Sequence, residues 1–126
     1  MILIFGGVYQ GKLNYALERF GITENDVGYC TGEDIMYPED KKIIYEIDKW
    51  ILSLIHANKD VLGGVKRFIE DNGDSIVICN DISCGVVPMD PIMRKWRESV
   101  GKSLGMLAQN ADEVIRLYCG IPSKLK

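Results

Sequence analysis

Short apolar runs alternate with segments of helical periodicity along most of the chain. Residues 1–5 are continuously apolar and stop at Gly6-Gly7, a run too short for a helix and typical of a buried parallel strand. Helical spacing follows at Leu13, Ala16, Leu17 and Phe20. We therefore predict a strand over residues 1–5 and a helix over residues 12–20, ended by Gly21.

The clearest helical periodicity lies in the middle of the chain. Pro38 suits the first turn of a helix, and the acidic Glu39 and Asp40 would complement the helix dipole there. The apolar positions that follow keep a period of about 3.6 residues: Ile43, Ile44, Ile47, Trp50, Ile51, Leu54 and Ile55. This pattern predicts one helix that begins at Pro38 and extends through these positions.

The same reasoning assigns the rest of the chain. It predicts helices over residues 61–69 and 93–111, the first ended by Asn72-Gly73, and strands over residues 26–31, 75–79 and 113–119. Alternating strands and helices indicate an α/β fold with a mostly parallel sheet. We expect a P-loop NTPase-like (RecA-like) three-layer domain, with helices on both faces, that occupies residues 1–126 as one unit.

Composition and residue spacing argue against several classes of function. The net charge of −3 gives no basic field for a nucleic-acid backbone. The four cysteines form no CxxC pair and His56 is the single histidine, so the spacing of metal ligands is absent. The sequence shows neither a signal peptide nor the ~20 apolar residues of a membrane span. We expect a cytoplasmic protein with reduced thiols, no nucleic-acid partner and no membrane contact.

A phosphate-binding loop lies between the first predicted strand and helix. The segment matches the pattern G-x-x-x-x-G-K and contains Gly6, Gly7, Val8, Tyr9, Gln10, Gly11, Lys12 and Leu13. Glycines let the backbone curl so that N–H groups converge on phosphate oxygens, and the helix that follows presents its positive end. Lys12 would add a cation for the terminal phosphates. The motif predicts binding of ATP or GTP.

Leu13 departs from the loop pattern, which places a Ser or Thr hydroxyl there as a Mg²⁺ ligand. A divalent ion would depend on phosphate oxygens, water and a nearby carboxylate, so Mg²⁺ binding is weakened. Asp81 is the candidate carboxylate, because the strand over residues 75–79 leads directly into Asn80-Asp81. Asp81 is equally well explained as a loop or helix-cap aspartate.

Arg94 and Arg97 lie near the start of the long predicted helix and share one face, so both could contact an anionic group of a ligand. A solvated helix face with local ion pairs is the competing interpretation. We assign no catalytic role to His56, which lies near the end of its predicted helix.

The sequence resembles the adenosylcobinamide kinase/adenosylcobinamide-phosphate guanylyltransferase family of cobalamin biosynthesis. The resemblance is carried by ILIFGGVYQGK at the start and by SIVICNDISCGVVPMD, RKWRESVG and ADEVIRLYCGIPSKLK toward the end. The positions that fall on the family's pattern are Asn80, Asp81, Gly85, Val87, Pro88, Arg94, Trp96, Arg97, Glu98 and Gly101. The family's guanylylated histidine segment has no counterpart between Gly21 and Ser75.

The resemblance implies phosphoryl transfer from ATP or GTP to the hydroxyl of cobinamide, and a trimeric assembly. Lys12 would hold the phosphates, Asp81 would position metal or act near the acceptor hydroxyl, and Asn80, Arg94 or Arg97 would contact substrate. Guanylyl transfer is not expected. The rival hypothesis is a non-catalytic nucleotide- or corrinoid-binding subunit, which Leu13 and the missing histidine favour. A third, an unrelated small P-loop kinase, is disfavoured by the NDISCGVVP match.

Overall fold

The computed structural model describes residues 1–82 and 89–126. The turn that the resemblance assigns to Gly85, Val87 and Pro88 lies outside the described residues. The strands are β1 Ile2–Gly6, β2 Val27–Tyr29, β3 Ile43–Tyr45, β4 Ile76–Asn80, β5 Glu113–Tyr118 and β6 Ile121–Lys124. The helices are α1 Lys12–Phe20, α2 Ile47–His56, α3 Val61–Asp71 and α4 Pro91–Asn110, with a short 3₁₀ turn at Glu24–Asp26.

These strands form a six-stranded sheet in the order β2-β3-β4-β1-β5-β6. Neighbours pair in parallel except β5 and β6, which form an antiparallel hairpin. Helix α1 packs on one face of the sheet, whereas α2, α3 and α4 cover the other. The predicted three-layer α/β fold with a mostly parallel sheet is therefore confirmed.

The predicted helix from Pro38 is wrong at its beginning. Residues Ile43–Tyr45 form β3, which pairs with β4 through Ile43–Ile76 and Ile44–Val77. Pro38 instead packs against β2, where a Cβ on Gly28 would overlap its ring. Apolar residues at Ile43, Ile44 and Ile47 fit a helical period equally well, and the β-branched pair was misassigned for that reason.

A left-handed residue separates β3 from α2. Glu46 has φ +61° and ψ +53°, a conformation that ends the strand and turns the chain into the helix that begins at Ile47.

Strand β6 was not predicted, because a proline at position 122 and four exposed side chains are more typical of a loop than of a strand. It pairs as an edge strand, the place in a sheet where proline is tolerated.

Capping residues mark where α3 and α4 begin. Asp60 caps α3 by accepting a hydrogen bond from the Gly63 N–H. Asp90 caps α4 by accepting from the backbone N–H groups of Ile92 and Met93, with Pro91 in the first turn.

In the described part of the chain, no helix combines the length and apolar composition needed to cross a membrane.

Candidate phosphate-binding site

The predicted phosphate loop occupies the turn between β1 and α1. Gly11 caps α1 with φ +81° and ψ +23°, a left-handed conformation that glycine adopts without strain. Gly6 passes so close to β5 that a Cβ would overlap the carbonyl oxygen of Leu117. Both glycines are therefore required by the backbone path, which brings the loop to the carboxyl end of the sheet, where ligands bind in α/β folds.

The N-terminus of α1 is open to an anion. No side chain caps it, and its first turn contains no acidic residue. The first N–H groups of a helix have no intrahelical partner and carry partial positive charge. The loop and helix together provide the backbone donors of an anion site.

Lys12 is buried at the base of this loop rather than extended into solvent. Its Nζ donates a hydrogen bond to the carbonyl oxygen of Gly7 at 2.6 Å. Burial lowers the pKa of the Lys12 ammonium, while the charges of Asp48, Cys79 and Glu46 act in the opposite direction. The cation is thus positioned in a partly desolvated site, where it attracts a phosphate more strongly than in water.

Two carboxylates that the sequence analysis did not identify face the loop. Glu46 follows β3 directly, and Asp48 lies in the first turn of α2, where it is buried. Burial raises the pKa of Asp48, and hydrogen bonds from Asn80 oppose that rise. The signal was present in the sequence, because an apolar run ending in an acid was the same pattern that singled out Asp81.

Asn80 joins these two carboxylates. Its Nδ2 donates to Glu46 Oε2 at 3.1 Å and to Asp48 Oδ2 at 3.3 Å, and its backbone N–H donates to Asp48 Oδ1 at 3.1 Å. The Trp96 indole N–H donates a hydrogen bond to the main-chain oxygen of Asp48 at 2.7 Å. The network connects the ends of β3 and β4 to α2 and α4.

The loop and the network enclose a cleft of about 720 Å³, which we call the phosphate cleft. Its walls include the loop residues 8–13, the carboxylates Glu46 and Asp48, and the side chains Asn80 and Trp96. Leu13 lines the cleft and also packs against the core beneath α1. The volume is in the range of small-molecule sites.

Asp81 and the two arginines are not among the described residues that line the phosphate cleft. Asp81 lines a second cleft, and its backbone N–H donates to Gly6 O at 2.8 Å. Arg94 is exposed and Arg97 half-buried on α4, and neither is among the described residues that line the phosphate cleft. Of the predicted substrate contacts, the structure brings Asn80 to the phosphate loop.

His56 is the last residue of α2 and is exposed. Asp48, in the first turn of the same helix, is eight positions away, which corresponds to roughly 12 Å along the axis. The imidazole is therefore at the opposite end of α2 from the phosphate cleft.

The comparison with known proteins supports the family resemblance and the fold. A family model described as "Cobinamide kinase / cobinamide phosphate guanyltransferase" matches residues 43–125, well over half of the chain. The match includes Glu46, Asp48 and Asn80 but begins after the phosphate loop, which is supported by its own motif and geometry. No curated protein matches the chain. The chain belongs to the cobinamide kinase/cobinamide phosphate guanyltransferase family.

Proposed function

We propose that the protein binds ATP or GTP in the phosphate cleft and transfers the terminal phosphoryl group to a hydroxyl of cobinamide. The observation that carries this proposal is the buried Lys12, held by Gly7 at the base of a glycine loop and facing two carboxylates. In the transfer, the acceptor oxygen bonds to the γ-phosphorus and the bond to the β–γ bridging oxygen breaks. The nucleoside diphosphate leaves, and the hydroxyl proton passes to a carboxylate or to water.

The loop amides and the N-terminus of α1 would hold the β- and γ-phosphates, and Lys12 would neutralise charge that develops in the transition state. Glu46 is the carboxylate that we assign to the reacting centre, because it is the more exposed of the two carboxylates that line the cleft, whereas Asp48 is buried. Asn80 orients Glu46 by donating to its carboxylate.

A Mg²⁺ ion fits this site with few protein ligands. In the described part of the chain, no group of three or more His, Cys, Asp or Glu side chains could hold a metal. Nucleotide-bound Mg²⁺ commonly uses one or two carboxylates together with phosphate oxygens and water, and Glu46 could supply one. Bound there, the ion would neutralise phosphate charge. Leu13 supplies no hydroxyl, so we propose a small contribution of Mg²⁺ to nucleotide affinity.

Guanylyl transfer is excluded from the proposal. A histidine nucleophile must reach the α-phosphate, and His56 lies at the far end of α2.

We also propose that the protein is cytoplasmic and assembles as a homo-oligomer, a trimer by its family resemblance. Exposed apolar side chains at Met89, Ile92 and Met93 support such an assembly.

The second candidate function is nucleotide binding without catalysis, which Leu13 favours. Incubation with adenosylcobinamide and γ-labelled ATP or GTP distinguishes the two. Transfer of label to the corrinoid is expected, and its loss in Glu46→Gln would identify the carboxylate. Tight nucleotide binding with no labelled product would establish the non-catalytic alternative.

A further inference from the structure

A lysine that the proposed reaction does not use also lines the phosphate cleft. Lys49 is the third residue of α2, three positions after Glu46, and its side chain retains 45% of its full exposure. Among the described residues that line this cleft, Lys12 and Lys49 are the two cations. Lys12 comes from the beginning of α1 and Lys49 from the beginning of α2. The cleft therefore contains a cation that the phosphate loop does not supply.

The position of Lys49 is unfavourable for the helix that contains it. The first turn of an α-helix carries partial positive charge, which favours acidic side chains there and disfavours basic ones. Asp48, the residue before Lys49, provides the favourable charge in this turn. Helix stability therefore gives no reason for a lysine at this position, whereas an anionic ligand in the cleft does.

Lys49 forms an ion pair with Glu46. Its Nζ donates to Glu46 Oε1 at 3.1 Å, while Asn80 Nδ2 donates to the other oxygen, Oε2, at 3.1 Å. Glu46 also has a left-handed backbone conformation, which is uncommon for a residue with a side chain and is concentrated at functional sites. Both oxygens of this carboxylate thus contact nitrogen donors, and the ammonium lies at the oxygen that Asn80 does not contact.

The ion pair between Lys49 and Glu46 can exchange for a contact with phosphate. The two side chains are 45% and 20% exposed, and exposed ion pairs of this kind contribute little to stability. The lysine side chain is flexible, and its ammonium has three donors. A nucleoside triphosphate brings several negative charges into the cleft, so the ammonium would find a stronger partner in a phosphate oxygen.

We propose that Lys49 is a second phosphate-binding cation, which contacts the terminal phosphate of the bound nucleotide and supplies charge that Mg²⁺ provides in other phosphate loops. This inference rests on the proposed function, because that function places the terminal phosphate beside Glu46. Leu13 offers no hydroxyl to a metal, and Glu46, the carboxylate that could bind one, already holds the Lys49 ammonium. An ammonium fixed to the protein thereby takes over part of the neutralisation of the phosphates.

Calorimetric titration of ATP and ADP, and of GTP and GDP, in EDTA tests this assignment. Lys49→Ala should raise the Kd for the triphosphate about tenfold, the loss expected for one charge-assisted hydrogen bond. The Kd for the diphosphate should change by no more than about twofold, because it lacks the phosphate that the ammonium contacts. Lys49→Arg keeps the charge and should bind both nucleotides much as the wild type does.

Mg²⁺ gives a second readout of the same variant. Addition of Mg²⁺ should lower the Kd of Lys49→Ala for the triphosphate several-fold, because the metal can then bind the released Glu46 carboxylate. The Kd of the wild type should change little under the same conditions. Retained affinity of Lys49→Ala for the diphosphate shows that this variant is folded.

Lys42→Ala is the matched control. Lys42 is an exposed lysine directly before β3, at the opposite end of that strand from Glu46. It is not among the described residues that line the phosphate cleft. Its removal changes the net charge by the same amount as Lys49→Ala, and both Kd values should remain those of the wild type.

The outcomes separate this inference from the proposed function. Wild-type protein that binds the triphosphate with an affinity unchanged in Lys49→Ala would refute the role of Lys49 and leave the proposed function intact. An equal loss for triphosphate and diphosphate would also refute it, because the lysine would then not contact the terminal phosphate. Folded wild-type protein that binds neither nucleotide would contradict the proposed function together with this inference.

Discussion

Asn80 holds the buried carboxylate of Asp48 from two directions. Its backbone N–H donates to Oδ1 at 3.1 Å and its side-chain Nδ2 to Oδ2 at 3.3 Å. Burial raises the pKa of Asp48, and these two hydrogen bonds limit the rise because they stabilise the ionised form. The end of β4 thereby favours the ionised form of a carboxylate in the wall of the phosphate cleft.

Asn80→Ala should therefore destabilise the protein in a pH-dependent way. Without the amide, the pKa of Asp48 rises further above its ordinary value of 3.8. The folded variant then retains a proton that the unfolded chain releases, so its free energy of unfolding falls as pH rises through this window. We expect a loss of about 1–3 kcal/mol at pH 7 and a smaller loss at pH 4, measured by urea unfolding.

Asn72→Ala is the matched control for this prediction. The Asn72 amide donates to the Phe68 carbonyl oxygen at 2.9 Å, so its removal affects a neutral acceptor. Its effect should be similar at both pH values. A loss in Asn80→Ala that is equally independent of pH would contradict the role given to the network.

Leu13→Ser should make nucleotide binding depend on Mg²⁺. The serine hydroxyl would restore the metal ligand that the loop pattern provides at this position. Wild-type affinity for ATP or GTP should change little when EDTA replaces Mg²⁺, whereas that of the variant should fall. Leu17→Ser, which also removes apolar packing from α1, controls for the loss of a leucine. Strong and equal dependence in wild type and Leu13→Ser would mean that other groups, Glu46 first, hold the metal.

Incubation with GTP and Mg²⁺ should give no covalent adduct. A stable phosphoramidate needs a histidine at the α-phosphate, and His56 is exposed at the far end of α2. Intact-mass spectrometry should show the unmodified chain. A mass increase matching GMP that disappears in His56→Ala would reveal guanylylation and refute this part of the account.

The fold could be predicted from the sequence wherever a local signal was unambiguous. Gly21 ends α1, and Asn72 lies just beyond the end of α3, as their positions after apolar-periodic segments indicated. The phosphate loop was identified because its chemistry is local, with glycines and Lys12 contiguous in the chain. Where a short apolar run could be strand or helix, as at Ile43–Tyr45, the periodicity gave the wrong answer.

The carboxylates of the site were missed for the same reason. With β3 assigned to a helix, Glu46 and Asp48 had no strand end to follow and were not considered as ligands. The pairing of β3 with β4, which brings Asn80 beside both acids, is a long-range contact that no local pattern encodes. Asp81 satisfied the local pattern, but in the structure it lines a second cleft and not the phosphate cleft.

The most direct test of the central claim is calorimetric titration of ATP and GTP into the wild type and Lys12→Ala. We predict that at least one nucleotide binds the wild type and that Lys12→Ala weakens binding by ~1.5–3 kcal/mol, as expected for a hydrogen bond to a charged group. Lys95→Ala, which removes an exposed cation from α4, should bind like the wild type. No heat of binding for either nucleotide with folded wild-type protein would contradict the account.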